Sequence, residues 1–118
     1  MSARILQVGI VGFEPAIRAP LEILLSAEPD LDVVAFPPEW SPLDAVSPAL
    51  EVDVLLIDPL GPDWVERLHA HFPKAAMLAM VEWHHRHLFQ GGPIRMYFER
   101  CQGYVELLAL LRQLGEAL

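Results

Sequence analysis

The sequence predicts a single α/β domain, residues 1–118, built on a doubly wound, five-stranded parallel sheet. Three observations predict it. Strand-like and helix-like segments alternate along the chain, with no repeat, low-complexity tract or linker between them, and that alternation places helices as crossovers between parallel strands. Val54-Leu55-Leu56-Ile57 is apolar at four successive positions, which suits a strand covered on both faces. The chain has 118 residues, 53% of them apolar and 20% charged. A chain of this size buries roughly two-thirds of its unfolded surface, which favours a packed core over disorder.

The elements follow in order. Residues 5–11 are apolar and rich in Ile and Val, a buried first strand. Residues 15–27 carry Ile17, Leu21, Leu24 and Leu25 at helical spacing. Pro20 falls inside that window, and because proline removes a backbone donor the helix is expected to start late or bend there. Glu28-Pro29-Asp30 ends it, and residues 31–36 read as the second strand. Pro37-Pro38 and Ser41-Pro42 are breakers, with Ser41 as N-cap and Pro42 at the first position of a short second helix reaching about residue 50. Asp53 introduces the third strand. Residues 62–72 form a helix with Trp64, Val65, Leu68 and Phe72 near one face. A fourth strand at 75–81, a His-rich helix at 82–90, a Gly91-Gly92-Pro93 turn and a fifth strand at 94–98 come next. The closing helix runs through Val105, Leu107, Leu108, Leu111 and Leu114. Five strands in this count and length suit the flavodoxin-like order 2-1-3-4-5, whose ligands bind beyond the carboxyl ends of the strands. Gly12, Phe13, Asp58, Met80 and Arg100 gather there.

The net charge of −8 sets sixteen acids against seven arginines and one lysine, Lys74. That balance repels phosphate backbones, so no direct contact with nucleic acid is expected, and the acidity serves solubility. Cys101, the single cysteine, forms neither an internal disulfide nor a cysteine-rich zinc site, and reads as a small buried hydrophobe. The apolar runs are too short to span a bilayer, and the N-terminus lacks the long apolar core and cleavage site of a signal peptide. No membrane partner and a cytoplasmic location are expected.

Residues 4–11, Arg-Ile-Leu-Gln-Val-Gly-Ile-Val, followed by Pro15 and Arg18, resemble the opening of response-regulator receiver domains. Ala27-Glu28-Pro29-Asp30-Leu31-Asp32-Val33-Val34 resembles the end of their first helix and their second strand. Asp53-Val54-Leu55-Leu56-Ile57-Asp58 is similar to the third strand, and Tyr97-Phe98-Glu99-Arg100 to the stretch that carries an aromatic three residues before a lysine. The likeness spans nearly the whole chain. It implies that Asp58 stands where the family has its phosphoacceptor. It also implies an altered pocket. The acidic pair that follows the first strand and holds a divalent cation falls on Gly12 and Phe13, with Glu14 one residue further on. The hydroxyl residue ending the fourth strand falls on Met80, and the lysine falls on Arg100, which keeps a positive charge but not a compact ammonium. A divalent cation such as Mg²⁺ prefers several hard oxygen ligands, and one carboxylate is a poor site.

The expectation is therefore an atypical, pseudo-receiver domain in signal transduction or transcriptional regulation, working through protein contacts without phosphorylation and without catalysis. Asp58 is a vestigial phosphoacceptor that either pairs with Arg100 or caps the following turn, and Phe13 and Met80 fill the former ion pocket. Tyr97, Trp83, Phe89 and Tyr104 map near the output and dimer face that the resemblance implies, so homodimerisation through the last third is expected. Any DNA-binding part is expected to be absent or supplied by another protein. The alternative is a small-molecule-binding domain of the same topology using the altered pocket.

Other chemistry is weaker. His84, His85 and His87, with Glu82 nearby and His69 and His71 upstream, suggest a metal, yet zinc sites usually need three or four convergent ligands. A solvated helix face is the expectation, with no metal and no cofactor. Gly9-Ile10-Val11-Gly12 lacks the third glycine and the acidic residue of a dinucleotide fingerprint, since Phe36 stands where the second strand should end in an acid. Ser26, Ser41 and Ser47 have no recognisable histidine context for nucleophilic catalysis.

Overall fold

A computed structural model describes residues 5–34, 51–59, 61–99 and 102–117. Strands β1 (Leu6–Val11), β2 (Leu31–Val34), β3 (Val54–Ile57), β4 (Ala76–Met80) and β5 (Ile94–Phe98) form one sheet in the order β2-β1-β3-β4-β5. Every pairing is parallel. The predicted topology is the observed one. Helices α1 (Pro15–Ser26), α2 (Pro62–His71) and α3 (Tyr104–Glu116) and a 3₁₀ helix (Trp83–Phe89) complete the described elements. The short helix expected before residue 50 lies outside the described residues.

Side chains alternate across the sheet with the two-residue period of a strand, and this splits the core into two layers. Val8, Ile10, Val54, Leu56, Leu78 and Met80 face α1 and α3, packing with Leu25, Leu107, Leu111 and Leu114. Val11, Leu55, Ile57, Met77 and Ala79 face the other way, against Trp64, Val65, Leu68 and Phe89. All four residues of β3 are fully buried, the physical reason for its unbroken apolar run. Asp53 stitches the amino-terminal end of the sheet: its carboxylate accepts from the Gln7 N–H at 2.9 Å, while its own N–H donates to the Gln7 carbonyl at 2.9 Å. At the sheet edge Arg95 is skipped in the β4–β5 register, where Met77 pairs Ile94 and Leu78 pairs Met96.

Two local expectations need correction. α1 does not start late: it begins at Pro15 and accommodates Pro20 inside, since a proline at the first helical position gives up a donor that would have no partner there anyway. Residues 83–89 form a 3₁₀ rather than an α-helix. The closing helix runs through Val105 as expected, with that side chain at 76% exposure, and Ile23 on α1 is exposed too. No helix among the described residues is long and apolar enough to cross a membrane.

Candidate functional site at the carboxyl edge of the sheet

The strand ends converge as a doubly wound sheet requires. β1 runs into Gly12, whose φ of 90° lies in the region that glycine alone adopts freely. β3 runs into Asp58, half-buried, whose N–H donates to the Val11 carbonyl at 3.1 Å and so holds the two strand ends side by side. β4 ends in Met80, at 6% exposure. Arg100, expected to follow β5, lies outside the described residues, as does Cys101.

Gly12 and Asp58 are in intimate backbone contact. A Cβ built on Gly12 would lie 2.6 Å from the Asp58 carbonyl oxygen and 3.3 Å from the Trp64 indole. Trp64, from the first turn of α2 and nearly fully buried, roofs that spot. Phe13 turns the opposite way. At 2% exposure it joins the layer under α1 and α3, with Ile10 and Phe98. Glu14 is exposed, and its backbone carbonyl accepts the N–H groups of Ile17 and Arg18 to start α1.

A cavity of about 410 Å³ opens beside Asp58, between the start of α2 and the 3₁₀ helix. Met80, Val81, Leu88 and Phe89 give it apolar walls, while Asp58, Glu82 and His85 supply polar groups. Sequence reasoning missed Trp64 as a site residue and read it only as helix core. The signal available was a bulky aromatic two residues into the helix that follows Asp58.

Of the aromatic residues expected near one contact face, the three with described side chains pack on different core layers. Phe89 is buried at 8% exposure and anchors the 3₁₀ helix in the α2 layer. Tyr97 packs half-buried on that same layer, and burial raises its phenol above the usual tyrosine range, with Arg86 partly opposing. Tyr104 packs on the opposite layer and donates its hydroxyl to the Leu24 carbonyl at 3.1 Å, joining α3 to α1. Burial raises its phenol too, helped by Glu28 and Asp30 against Arg112. Trp83 begins the 3₁₀ helix, and its side chain lies outside what is described.

No protein-family model matches the sequence, and no curated relative does. Solved structures do. The signal receiver domain of an HD domain-containing protein from Pseudomonas fluorescens Pf-5 matches at a TM-score of 0.75 and 23% identity, over 99% of this chain and 91% of that one. A LuxR family DNA-binding response regulator from Silicibacter pomeroyi gives 0.77 at 21% identity, over 96% and 93%. The chain has the receiver fold. A third receiver, that of a sensor histidine kinase from Pseudomonas aeruginosa PAO1, coordinates a magnesium ion in its active site cleft; it gives 0.70 at 14% identity, over 94% and 98%.

The described residues at this edge do not fit such an ion. Gly12 brings no ligand and leaves no room for one, because any side chain there would meet Asp58 backbone. Phe13 is apolar and committed to the core. Among the described residues that end the strands, Asp58 brings the carboxylate, whereas Mg²⁺ would want several oxygen ligands in near-octahedral array.

Proposed function

We propose that this receiver-fold chain is an atypical receiver acting in signal transduction or transcriptional regulation, in the cytoplasm, by protein contact and without phosphorylation at Asp58 or enzymatic turnover. The observation that carries the reading is the Gly12–Asp58 contact, with the Cβ position 2.6 Å from the carbonyl oxygen and Trp64 above it. Phosphoryl transfer needs a divalent cation to offset developing charge, and this packing leaves no room for a ligand side chain at position 12. The receiver likeness supports signalling as the setting. Self-association through the last third is part of the reading, with Leu88 and Val105 as exposed apolar residues there.

Titration of Mg²⁺ and then beryllium trifluoride, followed by amide chemical shifts, tests it. Shifts at Gly12, Asp58 and Met80 that stay put at millimolar Mg²⁺ support the reading. A saturable shift at those three, enhanced by the phosphoryl mimic, contradicts it.

The cavity beside Asp58 favours a second reading, a small-molecule site. Its volume of about 410 Å³ falls within the usual range for ligand pockets, which are mostly apolar with a few placed polar groups. Ligand-dependent thermal stabilisation that Asp58→Asn abolishes would favour this alternative.

A further inference from the structure

The 3₁₀ helix carries a group of side chains that the contact reading does not use. Glu82, its N-cap, and His84 and His85, in its first turn, bring one ligand atom each to within 4.8 Å of one another. We propose that Glu82, His84 and His85 form a binding site for a borderline divalent transition metal, of which Zn²⁺ is the representative, at the mouth of the cavity that Asp58 lines. This goes beyond the contact reading and stands without it.

The argument begins with the backbone. The His85 N–H donates to the Glu82 carbonyl at 2.8 Å, closing the first 3₁₀ turn and fixing the spacing of the three residues. Buried Phe89 holds the far end of the element. His84 Nε2 already stands 3.3 Å from Glu82 Oε2. Bonds of about 2.0–2.1 Å to a tetrahedral Zn²⁺ put neighbouring ligand atoms about 3.3 Å apart, so this pair already has the required spacing. The His85 ring lies with its centroid 4.1 Å from that of His84. All three side chains are exposed, so closing the remaining distance takes a side-chain rotation and no repacking.

His87 is turned away from the group, its Nδ1 bonded to the His84 carbonyl at 2.8 Å. His69 and His71 belong to α2. Of the histidines that the sequence offers, His84 and His85 are the two that converge with Glu82 among the described residues.

Donor chemistry selects the metal. Two imidazoles and one carboxylate suit Zn²⁺, Ni²⁺, Co²⁺ or Cu²⁺, whereas Mg²⁺ prefers oxygen ligands throughout. Three protein ligands leave a tetrahedral ion one open position for water, as in two-His, one-Glu zinc sites. Glu82 and His85 also line the cavity, so occupation of the site would brace its rim.

The test is calorimetric titration of Zn²⁺ into the tag-free full chain, with Co²⁺ absorption as a second probe of coordination. The expected result is one equivalent bound in the micromolar range, unaffected by millimolar Mg²⁺. Outer-shell substitutions at metal sites weaken affinity about 10–100-fold, so direct-ligand variants Glu82→Gln, His84→Gln and His85→Gln should each lose at least about tenfold. His87→Gln and His71→Gln should match the wild type. Zinc-induced shifts of the His84 and His85 imidazole resonances in the wild-type chain give a readout that needs no variant. No binding by the wild type, equal binding by the three direct-ligand variants, or imidazole shifts confined to other histidines would overturn the proposal. None of these outcomes depends on whether Asp58 accepts a phosphoryl group.

Discussion

An alanine methyl at position 12 would stand 2.6 Å from the Asp58 carbonyl oxygen, on a backbone whose φ of 90° already disfavours any Cβ. Strained backbone of this kind costs about 1–3 kcal/mol, and here a clash with backbone adds to it. Gly91 provides the control. Its φ is 83°, but nothing lies within 4 Å of its Cβ position. Urea denaturation should therefore show Gly12→Ala losing clearly more stability than Gly91→Ala, and equal losses would remove the steric argument. A second residue-scale prediction concerns Asp30, whose two carboxylate oxygens accept from Arg112 Nε at 2.8 Å and Nη2 at 3.0 Å. The Arg112 guanidinium holds the Asp30 carboxyl below the usual carboxylate range. The folded value being the lower one, the linkage contributes stability above the ordinary carboxylate value, and loses it as pH falls through the lowered one. Arg112→Gln should thus destabilise the chain near neutral pH and converge with the wild type in strong acid, as thermal melts across pH would read.

At the scale of elements, Phe89 joins the 3₁₀ helix to the α2 layer of the core. Truncating a buried phenylalanine costs about 3–5 kcal/mol, so Phe89→Ala should lower the urea midpoint and loosen amide protection across residues 83–90. A surface contact residue would show neither effect. Strands and long helices were legible because their burial follows the apolar pattern of the sequence: β3 is apolar throughout and is buried throughout, and α3 repeats leucine at helical spacing. The 3₁₀ helix was not, because Trp83-His84-His85-Arg86-His87 has no apolar period and, among its described side chains, Phe89 is the buried one. α1 hid its start for another reason. Pro15 and Pro20 look alike in a sequence, but the first is harmless at the helix N-terminus and the second is tolerated inside it.

For the molecule as a whole, the order β2-β1-β3-β4-β5 and the likeness to solved receivers agree with the fold that alternation alone predicts. The site was legible only in part. Position in the strand order placed Gly12, Asp58 and Met80 together, since parallel strands end at one edge. Which way each side chain leaves that edge depends on pleat and loop geometry, so the inward turn of Phe13 and the roofing by Trp64 needed coordinates. The packing of Tyr104 on one core layer and of Phe89 and Tyr97 on the other is likewise a whole-molecule fact, set by the two faces of the sheet. The central claim is that this edge no longer supports metal-dependent phosphorylation. Incubation with acetyl phosphate and Mg²⁺, followed by intact mass spectrometry, tests it most directly. The account predicts an unchanged mass; a stoichiometric phosphoryl adduct on Asp58 that Asp58→Asn abolishes would contradict it.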